Sequence, residues 1–132
     1  MASAHWPLRH GRPTLEVVLT LAQGDQKVTR NLLADTGAGA VHDPFEIVLD
    51  EIDCLMCGSM PFKMVTLGGS LSGTYPIYVI LVEIPALGFM GDVFAAGVDR
   101  TPDGFDGIAG FPFLNRFTYG NFGNPLAFGL ET

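Results

Sequence analysis

An apolar run stops abruptly on an acid in residues 32–40, Leu32-Leu33-Ala34-Asp35-Thr36-Gly37-Ala38-Gly39-Ala40. Leu32 to Ala34 carry no polar side chain and read as a buried strand. Asp35 then puts a carboxylate at the strand's end, where burial is costly unless the charge is hydrogen-bonded, shared or used. Thr36 supplies a short hydroxyl that can pin the following loop, and Gly37 a backbone that tolerates close approach. A strand running into an Asp/Gly turn is common in any β protein. The segment therefore constrains the fold before it says anything about chemistry.

The rest of the chain has the same grain. Seventeen glycines and nine prolines are scattered among Val, Ile, Leu and Phe in 132 residues, which predicts short strands joined by tight turns in a single all-β domain. Residues 14–21 place Leu15, Val17, Leu19 and Leu21 on one face. Gln23-Gly24-Asp25 supplies a turn, and residues 27–34 return as the strand that feeds Asp35. Residues 45–49 fit a strand or a short helix equally well. Residues 63–67, the glycine-rich tip Gly68-Gly69-Ser70-Leu71-Ser72-Gly73 and residues 74–84 read as a long hairpin that tolerates Pro76 near a strand start. Residues 93–98 and 126–130 are two further strands, with a turn at 100–104 between them. Residues 1–13 look like a tail or an edge segment, which puts the domain at 14–132.

A second segment changes the weight of the first. Gly107-Ile108-Ala109-Gly110-Phe111-Pro112-Phe113-Leu114-Asn115-Arg116-Phe117 sets two apolar residues before a glycine and follows them with a short apolar helix pattern, about 70 residues after Asp35. In order and spacing, this element and Asp35-Thr36-Gly37-Ala38 resemble the single-domain, retropepsin-like aspartic proteases. The resemblance covers about 115 residues in layout and about twenty in recognisable motif.

The resemblance implies an all-β closed barrel with one short helix near the C-terminus, working as a homodimer. It implies that Asp35 is the catalytic acid, that Thr36, Gly37 and Ala38 brace its loop, and that Leu67, Gly68, Gly69 and Ser70 form a flap over bound peptide. Ile108, Ala109 and Gly110 would pass behind the catalytic loop. Asp-Thr-Gly occurs once, so the second carboxylate would come from another copy of the chain, and residues 126–130 would interleave with the partner's strands. An extended peptide or protein is the expected substrate, with no cofactor and no metal. Two departures stand out: Gly39 replaces the polar or acidic residue usual there, and Ala34 and Ala109 are small.

Competing readings are weaker. Cys54 and Cys57 in Cys54-Leu55-Met56-Cys57 read as partly buried free thiols in a connector, with a disulfide or a metal as alternatives left open. Asp43, Glu46, Asp50, Glu51 and Asp53 read as a solvated acidic face, and Asp106 as a turn residue that lies near the cleft if anywhere functional. Fourteen acids against seven bases give a net charge of −7 with no basic cluster, which disfavours nucleic-acid binding. The longest apolar candidate, residues 77–84, is too short to cross a membrane and contains Glu83. No basic-then-apolar leader opens the chain, so a cytoplasmic setting is the default expectation. A non-catalytic peptide-binding or dimerisation module of the same fold is the alternative function.

Overall fold

Leu15, Val17 and Leu19 are fully buried, Leu21 nearly so, and Glu16 between them faces solvent. That alternation sets the first wall of a barrel. The computed structural model describes residues 1–132, the side chain of Ser70 excepted. Its strands are β1 (Ser3–Pro7), β2 (Thr14–Thr20), β3 (Lys27–Ala34), β4 (Ile47–Asp50), β5 (Lys63–Leu67), β6 (Gly73–Ile84), β7 (Phe89–Val98), β8 (Gly107–Ala109), β9 (Thr118–Gly120) and β10 (Ala127–Glu131). Two short α-helices, α1 (Glu51–Met56) and α2 (Phe111–Leu114), and two single 3₁₀ turns complete it. The protein is all-β.

Six strands close on themselves in the order β2-β3-β8-β4-β7-β6, the ring being completed where Val18 and Leu19 of β2 meet Glu83 and Val82 of β6. Closure removes the barrel's free edges, which would otherwise invite pairing with other chains. β5 lies outside the ring, paired to the first half of β6, so the β5–β6 hairpin projects from the barrel. The short β8 runs parallel to β3 and antiparallel to β4, between the two. Its three residues are all buried, as the middle of a sheet requires.

The core has two parts. The larger is built on Leu15, Leu19, Leu32, Ile47, Leu49, Ile80, Val82 and Leu114. The smaller collects Phe45, Val48, Ile77, Ala96, Val98 and Ile108 under the projecting hairpin. α2 seats Phe113 and Leu114 in the larger core, and Phe89, Phe113 and Phe117 meet edge to face with ring centroids 5.4–5.9 Å apart.

One expectation needs correction and two gain detail. The helix near the C-terminus is not alone, because residues 51–56 form α1. The Asp50 side chain accepts the Ile52 N–H at 2.8 Å as an N-cap, Glu51 and Asp53 sit in the first turn, and Gly58 at φ +77° follows the end. What read as a solvated acidic face is in part a helix start.

Of the two readings of residues 1–13, tail or edge segment, the structure has the second: β1 is an outer strand that pairs with β10 from Ser3↔Glu131 to Pro7↔Ala127. The C-terminal strand gains partners within the chain: β10 is the middle strand of a three-stranded sheet, β1-β10-β9, paired along its length with β1 and over Gly129–Glu131 with β9.

Burial sets a pH response. The fully buried Cys54 thiol is pushed up to about 12, mainly by desolvation and next by Cys57 and Asp53. Tyr78 is pushed up to about 12 by desolvation and by its hydrogen bond to Glu51, at 2.9 Å. Unfolding returns these groups to ordinary values of 9.0 and 10.0, so the unfolded chain loses protons first as pH rises. Their contribution to stability is complete below pH 9 and is lost from there up to about 12. The urea midpoint should fall between pH 9 and 12, and a flat midpoint over that range would contradict the burial of both groups.

Candidate active site

The Asp35 loop hangs from a crossing of backbones. The Asp35 N–H donates to Ala109 O at 3.0 Å, which carries β3 past the end of β8. Ala38 N–H then donates to Asp35 O at 3.1 Å, and Phe111 N–H donates to Ala38 O at 2.8 Å. Gly110 N–H donates to Glu46 O at 2.9 Å, so three segments distant in sequence are tied together behind the loop. Gly110 leaves no space for a side chain: a Cβ there would stand 2.6 Å from Ala38 O and 3.0 Å from Glu46 O.

Asp35 itself is half-buried, and its Oδ1 accepts the Gly37 N–H at 2.9 Å. The residue lines a cleft of about 420 Å3. Asp35, Gly37, Ala38 and Gly39 form one wall of that cleft, Leu67, Gly68, Gly69 and Leu71 of the β5–β6 hairpin the other, and Phe45, Val48 and Ile108 its floor. The structure thus brings Asp35, Gly37, Ala38, Leu67, Gly68, Gly69 and Ile108 to one place. Thr36 is exposed beside it, Ala109 is buried behind it, and the Ser70 side chain lies outside the described residues.

A larger cleft, about 570 Å3, opens between the β2–β3 turn and α1, with Leu21, Gln26, Leu55 and Met56 on its walls. No acid, base or thiol lines it. Size therefore favours one cleft and chemistry the other, and a carboxylate on the wall of a peptide-sized groove decides for the one at Asp35.

Glu46 and Asp53 are not solvated acids. Arg30 holds Asp53 with two hydrogen bonds of 2.8 and 2.9 Å, and this pairing raises the Arg30 pKa further. Arg116 donates to Glu46 Oε1 at 2.7 Å from beyond α2, while Glu46 Oε2 accepts the Phe94 N–H. Glu46 thereby links the segment after α2 to β7. Asp43 reaches back to the loop, its Oδ2 accepting the Ala40 N–H at 2.6 Å. Asp106 lies in a different cleft, with Arg30, Asp50 and Asp53, and accepts the Asn31 N–H.

Reading along the chain missed Asp43, Glu46 and Arg116. Their partners lie on other elements or run backward across a turn, and no local spacing announces that. The cysteines are free; Cys54 sits in α1 and Cys57 caps it. Burial raises the pKa of both thiols, the opposite of what a nucleophilic or redox cysteine needs. No protein-family model, no curated protein and no solved structure matches this chain.

Proposed function

We propose that this chain is a retropepsin-like aspartic endopeptidase that works as a homodimer. One observation carries the reading: the Asp35 carboxylate, on a loop tied behind by Gly110, lines a cleft whose opposite wall is the glycine tip of a projecting hairpin. A groove of this shape suits an extended peptide, which binds like an added strand through main-chain hydrogen bonds. The hairpin tip, with Gly69 at φ +68°, has the backbone freedom to lift and close over it.

The chemistry requires two carboxylates across one water. Like charges a few ångströms apart do not both ionise, so the pair shares one proton. The ionised Asp35 takes a proton from the attacking water. The protonated one, from the other copy, donates a hydrogen bond to the scissile carbonyl and stabilises the oxyanion. The exposed Thr36 and Gly37 suit a surface where two such loops meet. β10 already lies between β1 and β9, so these loops would form much of the surface where two copies meet.

The test is kinetic. Purified chain incubated with a peptide library between pH 4 and 7 should cleave it, and a peptide bearing a tetrahedral hydroxyl in place of the scissile carbonyl should inhibit. On dilution below the dimer constant, the rate should fall as the square of chain concentration. A stable dimer that cleaves nothing would leave the non-catalytic module of the same fold. A rate strictly proportional to concentration at every dilution would exclude a site shared between copies.

A further inference from the structure

The wall of the cleft beyond Asp35 is a turn that its own side chains cannot hold. Gly39 adopts φ +84°, a left-handed conformation that a side chain would strain, and Gly39, Ala40 and Val41 carry no polar side-chain atom. Gly39 is also packed close: a Cβ there would lie 3.3 Å from Pro112 Cδ and 3.4 Å from Phe45 Cζ. Asp43 supplies what the turn lacks. Its Oδ2 accepts the Ala40 N–H at 2.6 Å, and its own N–H donates to Ala40 O at 2.9 Å. A carboxylate accepting a backbone N–H makes a bond roughly twice as strong as a neutral pair does. Asp43 itself does not line the cleft, whereas Gly39 and Ala38 do.

The geometry points to Asp43 as a positioning residue that fixes the 38–40 wall against which an extended peptide lies. Its kinetic consequence rests on the peptidase reading above; its effect on the loop does not. The wall contacts substrate before and during reaction alike, so loosening it weakens binding more than it slows the chemical step.

The experiment compares wild type, Asp43→Ala and Asp43→Asn by steady-state cleavage of one peptide and by amide hydrogen exchange at Ala40. Asp43→Ala should raise KM about tenfold, the loss of one charge-assisted bond, with kcat changed by less than about twofold. It should speed exchange at Ala40 and lower the urea midpoint only modestly, by no more than that one bond contributes. Asn keeps an acceptor but not the charge and should fall between. Unchanged KM and unchanged Ala40 exchange in Asp43→Ala would overturn the assignment, as would a fall in kcat with KM constant. If Asp43→Ala does not fold, the Asn variant decides alone: faster Ala40 exchange on an intact fold supports the role, and a wild-type rate overturns it. If the wild type cleaves nothing, the peptidase reading falls and the exchange measurement still decides for Asp43.

Discussion

Replacing Asp35 by Asn is expected to lower peptide cleavage by about 10⁴-fold, the upper range for losing a general acid–base group, while leaving the fold in place. Asn is nearly isosteric and keeps an oxygen able to accept the Gly37 N–H, so the loop retains its internal bond. Asp35 is only half-buried and pairs with no cation, so removing its charge strands no partner. What disappears is the ability to take a proton from water and to share one with the twin group. The urea midpoint should correspond to a change within about 0.5 kcal/mol. Chains carrying Asp35→Asn, added in excess, should also poison wild-type activity, because a mixed pair holds one carboxylate. Full activity in the variant would sink the proposed mechanism; so would full wild-type activity in the presence of a large excess of variant chains.

The second large effect is on the fold. Gly107→Ala should destabilise the protein by more than about 4 kcal/mol, enough to leave it unfolded at ordinary temperature. A Cβ at residue 107 would collide with the carbonyl oxygen of Val48 and stand 3.0 Å from Leu32 Cδ2. The carbonyl cannot simply swing aside. Val48 and Ile108 are register partners, and β8 is held by β3 on its other side, so relief would mean breaking one ladder. Leu32 is fully buried and packed, so its side chain has nowhere to retreat. Circular dichroism and a urea titration decide the matter, and a folded variant with the wild-type midpoint would show that the strands are not so closely spaced.

The half of this molecule that alternates or turns was legible from residues alone. Leu15, Val17 and Leu19 announce an inward face by a period of two, and Gly68-Gly69 announce a hairpin tip. Asp35 marks itself because an acid is out of place after Leu32-Leu33-Ala34. Pairing across the barrel was not legible in that way. Nothing local in Gly107-Ile108-Ala109 says that it runs parallel to residues 32–34, and nothing in Ser3–Pro7 names Ala127–Glu131 as its neighbour.

Acids were the hardest to read. Asp50, Asp53, Glu46 and Asp43 look alike along the chain, yet one caps a helix, two meet arginines and one holds a turn. Glu46 and Asp53 depend on arginines that another segment brings within about 3 Å. Asp50 and Asp43 bond backbone N–H groups two and three residues away, in local conformations that no acid announces by itself.

The crossing at Ala109 and Phe111 also governs when the Asp35 loop takes its final form. During synthesis, residues 27–40 leave the ribosome long before 107–111, and until then the Asp35 N–H and the Ala38 carbonyl lack the partners they take in the finished barrel. Joining ends so far apart costs loop-closure entropy and comes late. A nascent or truncated chain that stops before residue 107 therefore carries Asp35 without the contacts that hold its loop in the barrel.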